Sequence, residues 1–255
     1  MNCNIVYSFE YLLIFSHHVE STSNLSRFEQ ENNEKTGSID QLKLPQVAAE
    51  TIRDELVHVT ALAYDPRIEL HREEIDTGHF ECPERTFAIA SQLRGSGLLR
   101  RCHVLPAREA TTEELELIHD RPHVKRMERT AQIDEAERRR DEACFDSMYF
   151  CKDSYSASLA AVGSLLECVD ALLDESREEG HANNAFALVR PPGHHATPSQ
   201  AAGFCIFNNV AIAAKYAMDK YGLQRVLIVD WDVHHGNGIQ DAFYYVSFVE
   251  MVLLN

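Results

Sequence analysis

The sequence predicts an α/β fold, a parallel sheet flanked by helices, and three observations carry that expectation. Residues 184–189 (NAFALV) and 225–230 (RVLIVD) are continuous apolar runs rather than alternating ones, as expected of strands buried on both faces. Between them, residues 208–222 (NNVAIAAKYAMDKYG) have helical periodicity and end on a glycine, so the order is strand, helix, strand. Each apolar run is followed by a loop carrying two adjacent histidines, PPGHH after the first and DWDVHHGNG after the second.

The chain has 255 residues, with 40 acidic against 24 basic side chains and a formal charge of −16. That balance argues against an intrinsic nucleic-acid surface and favours basic partners or substrates. Seven scattered cysteines without CxxC spacing read as reduced thiols of an intracellular protein.

At the N-terminus, YLLIF (residues 11–15) follows Glu10 and no basic residue, and it is too short for a secretory signal or a membrane span. Residues 21–50 are rich in Ser, Asn, Gln and Glu, so residues 1–54 are expected to form a disordered extension. Order is expected from residue 55, with a strand in LVHVTALAY (56–64) and a polar loop after it.

PERTFAIASQLRGSG (83–97) reads as a helix with proline in its first turn and glycine at its end. CHVLP is a short strand, and Thr111 three residues before Glu114 is a capping-box pattern. Residues 122–142 read as a charged, solvated helical segment whose acids balance its arginines. Tyr155, Leu159, Val162, Leu165, Leu166, Val169, Leu172 and Leu173 mark a long amphipathic helix.

In parallel α/β sheets, ligands collect outside the carboxyl ends of strands, so the two histidine pairs are expected to share one crevice. Asp232 and His234 are two residues apart, which in extended backbone puts their side chains on one side; Asp230 shares that parity deeper in the strand. A carboxylate and an imidazole converging there suit Zn²⁺, and Asp230 is then free to orient an imidazole. Gly193 and the prolines before it predict a fixed loop presenting His194 and His195.

These motifs resemble the zinc-dependent histone deacetylases of class II, nearest the cytoplasmic tandem-domain branch. The resemblance rests on RPPGHHA (190–196), GFCIFNNVAIAA (203–214) and VLIVDWDVHHGNGIQDAFY (226–244), with support from HFECPERTFAI (79–89) and GLLRRCHVLPAREATTEEL (97–115). It covers roughly residues 60–245, and where the family has His-Pro-Glu this chain has His79, Phe80 and Glu81. It implies an arginase/deacetylase-like sheet, incomplete at the C-terminus, with residues 55–245 as the N-terminal part of the domain and 246–255 as a divergent tail.

The same resemblance implies Asp232 and His234 as zinc ligands and His194 and His195 as the tandem catalytic histidines. His195 would be the general base and then the acid, oriented by Asn237, with His194 held by Asp230. Gly203 and Phe204 would line the acetyl-lysine tunnel, Arg85 would lie along an internal acetate channel, and carbonyls of Asp230, Asp232 and His234 with the Phe243 region would match potassium sites. The family's third zinc ligand and its oxyanion tyrosine have no counterpart in this sequence.

The implied function is deacetylation of lysines on histones, tubulin or other proteins in the nucleus or cytoplasm, with corepressor complexes as possible partners and neither nucleic acid nor membrane. An acetylpolyamine amidohydrolase, or an impaired product acting only by binding, are the alternatives. A manganese ureohydrolase of related topology is disfavoured, because the PPGHHA loop does not belong to it.

Overall fold

Short apolar segments far apart in the sequence assemble into one sheet in the computed structural model, which describes residues 4–7, 11–16, 60–75, 78–177, 182–246 and 249–253. The strands are β1 (Asn4–Tyr7), β2 (Tyr11–Ser16), β3 (Thr60–Ala63), β4 (Cys102–Val104), β5 (Asn184–Ala187), β6 (Arg225–Asp230) and β7 (Val249–Leu253). Their order is β4-β3-β5-β1-β2-β6-β7. All run in one direction except β2, which is antiparallel to both β1 and β6.

The N-terminus therefore differs from the expected disordered extension over residues 4–7 and 11–16. These two strands pair antiparallel and lie between the two strands that carry the histidine loops, with Val6 opposite Ala185 and Tyr11 opposite Asp230. YLLIF makes up most of strand β2. The remaining parts of the expected extension, 1–3, 8–10 and 17–54, lie outside the described residues. The tail also differs: Val249–Leu253 pairs in parallel with β6 and supplies the strand beyond it.

The helices are α1 (Glu84–Gly95), α2 (Thr112–Leu115), α3 (Arg121–Thr130), α4 (Glu135–Glu142), α5 (Ser154–Leu173), α6 (Asn209–Tyr221) and α7 (Asn237–Phe243). The capping box forms as its spacing predicts. Glu114 N–H donates to Thr111 Oγ1 at 3.2 Å, and Thr111 N–H to Glu114 Oε2 at 2.8 Å. Residues 122–142 split into two helices, because Asp134 caps a new one by accepting the Glu137 N–H. This segment is not wholly solvated: Val124 and Met127 enter the core, and Arg138 is buried in an ion pair with Glu74 at 2.5 Å.

Helix α5 is buried almost all round rather than on one stripe. Its large side chains Val162, Leu165, Leu166, Val169 and Leu172 fill the core, each contributing about 1.5–3 kcal/mol. Its other positions include Ala160, Ala161, Gly163 and Ser164. A Cβ on Gly163 would collide with the Arg108 carbonyl, so the glycine allows the 108–110 strap to lie on the helix. This is the one described helix long and apolar enough to cross a membrane, and 89% of that window is buried inside the protein.

Helix α6 behaves as expected. Asn208 caps it by accepting the Ala211 N–H at 3.1 Å, and Gly222 closes it at φ 65°. None of the six described cysteines is in a disulfide.

Candidate active site

Strand β6 ends on Asp230, and everything the site needs from that strand begins there. The Asp230 side chain is buried; Oδ2 accepts the His194 Nδ1–H at 2.9 Å, and Oδ1 accepts the Asp232 N–H at 3.0 Å. One carboxylate thus holds an imidazole from the first loop and the backbone of the second. A Cβ at Gly236 would overlap Asp230 Oδ2, which is the steric reason for glycine there.

Asp232 and His234 do meet, but not through strand parity, because β6 has already ended. They lie in a bend where Asp232 Oδ1 accepts the His234 N–H at 2.7 Å and faces its Nδ1 at 2.9 Å. His194 Nε2 is 4.0 Å from the same Asp232 oxygen. Burial alone would push the Asp232 carboxyl up, yet the two hydrogen bonds from His234 outweigh it and hold the group below the usual carboxylate range.

The second histidine is oriented from helix α7, where Asn237 Oδ1 stands 2.7 Å from His195 Nδ1. A carboxamide oxygen only accepts, so Nδ1 carries the proton and Nε2 is left as a free base. Burial lowers the His195 pKa and the Asn237 bond opposes it, with His194 and His234 adding to the lowering. The His194 and His195 rings stand 4.1 Å apart, and His195 and His234 5.9 Å apart. Gly238 N–H donates to the His194 carbonyl at 2.9 Å, tying α7 to the first loop.

The two histidine loops therefore converge, although they do not come from adjacent strands: β1 and β2 lie between β5 and β6. Gly203, at φ 51°, lies flat against His195, and a Cβ there would be 2.5 Å from the ring. Phe204 follows at φ 71°, its ring edge-on to His79 at 4.8 Å. Arg85 donates to the Val189 carbonyl at 3.4 Å, close to the start of the first loop.

The sequence reading missed a second layer. Arg190 is fully buried and paired with Glu81 at 2.6 Å. An arginine closing the apolar run FALV demands a carboxylate partner, and that demand was the available signal. His119 was also missed; its Nε2 accepts the Asn208 N–H at 2.8 Å, while Asn208 Nδ2 holds the Ala196 carbonyl at 2.9 Å.

Burial, helped by the neighbouring His123, pushes His119 down to about 3. A neutral His119 thus supports the loop after His195. With a folded pKa below the unfolded value of about 6.5, it contributes stability that is complete above that pH and lost as pH falls toward 3. Unfolding free energies from denaturant melts across that range are expected to fall by up to about 1.4 kcal/mol per pH unit from this group, and less steeply in His119→Gln. Equal slopes would contradict the assignment.

For a metal, the residues present give a partial fit. Asp232 Oδ1 and His234 Nδ1 are 2.9 Å apart, near the ~3.3 Å that separates two tetrahedral ligands at zinc bond lengths of about 2.0 Å. Among the described residues, no group of three or more His, Cys, Asp or Glu is arranged to hold a metal. The pair therefore suits two ligand positions of an open site.

A largely parallel α/β sheet thus brings a carboxylate–imidazole pair and two oriented histidines together at its strand ends. The sequence matches the histone deacetylase domain over residues 79–253, and the chain belongs to that family. The match runs through Leu253, into the segment expected to diverge.

Polyamine deacetylase HDAC10 of Rattus norvegicus is 48% identical over 163 residues, covering 64% of this chain and 27% of the relative. Histone deacetylase 6 of Caenorhabditis elegans is 40% identical over 192 residues, covering 74% of this chain and 20% of the relative. The crystal structure of the HDA15 HD domain superposes with a TM-score of 0.67 at 36% identity, covering 77% of this chain and 53% of that one. The chain thus spans about a quarter of the length of these curated relatives.

Proposed function

We propose that this chain carries the base and metal half of a zinc-dependent deacetylase centre, which hydrolyses the acetyl amide of lysine side chains. The observation that carries the reading is His195, its Nδ1–H fixed by Asn237 and its Nε2 free, beside His194–Asp230 and the Asp232–His234 pair. Asp232 and His234 would hold the metal. Zinc bound there would supply an activated water and polarise the amide carbonyl.

His195 Nε2 takes the proton from the attacking water and returns it to the departing amine, so it ends as it began. Asp230 keeps His194 in one tautomer and its carboxylate offsets positive charge that builds up on the imidazole. Gly203 and Phe204 shape the passage for the lysine stem, because nothing larger than glycine fits against His195. Arg85 would border an acetate exit near Val189. Potassium would take carbonyls of Asp230, Asp232, His234 and Phe243; the last already accepts the Val246 N–H at 2.9 Å.

Substrates on this reading are acetylated histones, tubulin or other proteins in the nucleus or cytoplasm, with corepressor assemblies as partners. A second reading, acetylated polyamines, is favoured by the names of the relatives at 44–48% identity. A cavity of about 530 Å³ beside His79 is lined by Glu69, Glu73 and Glu84 together with Arg72, and this excess of carboxylates suits a cation.

The test is turnover of an acetyl-lysine peptide and an acetylated polyamine by the purified chain with excess zinc. With two metal-binding side chains and no oxyanion hydroxyl among the residues assigned, turnover is expected to be at least ~100-fold below that of a complete deacetylase domain. Activity within tenfold of that control, abolished by a hydroxamate, would overturn the expectation. No turnover even when the chain is joined to a complementary half-domain would leave only a binding role.

A further inference from the structure

Beside the site lies a buried ionic cluster that the proposed chemistry does not use. Arg190 donates from all three of its guanidinium nitrogens. Nε donates to Glu81 Oε1 at 2.6 Å, and Nη2 to Glu81 Oε2 at 2.8 Å and Tyr149 Oη at 2.7 Å; Nη1 donates to the Ile68 carbonyl at 2.7 Å, and Nη2 also to that of His71. Tyr149 in turn donates to Glu81 Oε2 at 2.8 Å. Removing two charges from water costs several kcal/mol each, and such a pair is weak as a source of net stability. Its effect is better sought in what it holds in place.

It holds both sides of His195. On one side, Arg190 is the residue from which the Pro191-Pro192-Gly193 loop departs to deliver His194 and His195. On the other, the Glu81 N–H donates to His79 Nδ1 at 3.2 Å, and the His79 ring stands edge-on between Tyr149 at 4.9 Å and Phe204 at 4.8 Å. Phe204 follows Gly203, whose backbone lies against the His195 ring. The loop before His195 and the aromatic wall after it are thus referred to one carboxylate.

We propose that Glu81, Arg190 and Tyr149 form a positioning device that sets His195 against the Gly203–Phe204 wall. This rests on the deacetylase reading for its purpose, but its geometry is measurable without turnover or metal. The planar fork of Arg190 matters, because lysine keeps the charge and cannot span Glu81 bidentately while also reaching the two carbonyls.

The test uses the full 255-residue chain labelled with ¹⁵N-histidine, as wild type, Arg190→Lys and Tyr149→Phe. Tyr149→Phe removes one hydroxyl and keeps the ring, so it leaves the His71 and His79 ring contacts in place; should Arg190→Lys fail to fold, Tyr149→Phe alone decides. Both variants are expected to exchange the His195 Nδ1 proton with water at least about tenfold faster than wild type, with His123 as an internal control that does not move. A lowered denaturant midpoint with the His195 proton exchanging at the wild-type rate would overturn the proposal and leave a purely structural cluster. Absence of turnover when the wild-type chain is joined to a complementary half-domain, with these exchange shifts present, would instead count against the deacetylase reading alone.

Discussion

Deleting residues 1–16 is expected to abolish the cooperative unfolding transition of this protein. The strand pair β1–β2 is not an appendage: β1 pairs with β5 over three residues and β2 with β6 over six, so the two strands that carry the histidine loops are joined through it. Its loss would orphan the inner edges of both strands and leave the covering helices over a gap. At about 1 kcal/mol for each net hydrogen bond, plus the buried Val6 side chain, the deficit reaches the 5–15 kcal/mol that a domain has in total. Urea unfolding followed by circular dichroism checks this. A sigmoidal transition with an unchanged midpoint would show that the strand pair contributes nothing to the sheet.

Replacing Asp230 with alanine is expected to have the next largest effect, on stability and site together. Two buried or half-buried donors, His194 Nδ1–H and Asp232 N–H, lose their acceptor. Each orphaned donor costs about 1–3 kcal/mol, so a loss of roughly 2–6 kcal/mol is expected from calorimetry or denaturant melts. The second loop should also lose its order, seen as a collapse of the His234 resonance dispersion. Asp230→Asn keeps the shape and one carbonyl acceptor, so it should lie between wild type and alanine. A stable Asp230→Ala protein with ordered His194 and His234 would refute the role given to this carboxylate.

What the sequence made legible was set by local physics. The apolar runs of β5 and β6, the caps of α2 and α6, and the loops carrying the histidines were readable because each depends on residues a few positions apart. Asp230 holding His194 and Asn237 holding His195 came from the family resemblance, and the structure places both pairs within hydrogen-bond distance. The convergence of Asp232 and His234 was anticipated for an insufficient reason, since a bend and not an extended strand brings them together.

The rest depended on long-range pairing. β1 and β7 have only four and five residues, and nothing in NIVY or VEMVL states which strand each will join. The burial of α5 on its second face was hidden, because small residues such as Ala160 and Gly163 look neutral until the 108–110 strap lies on them. The partner of Arg190 is 109 residues away, and no local pattern connects it to Glu81.

The central claim is that Asp232 and His234 form one metal-binding pair beside the oriented His194 and His195. Isothermal titration of zinc into the purified 255-residue chain, its Asp232→Ala and His234→Ala variants tests it most directly. The account predicts saturable one-site binding in the wild type, weaker than a complete three-ligand site gives, and its loss in both variants while their circular dichroism is unchanged. Equal zinc binding in all three proteins would contradict it.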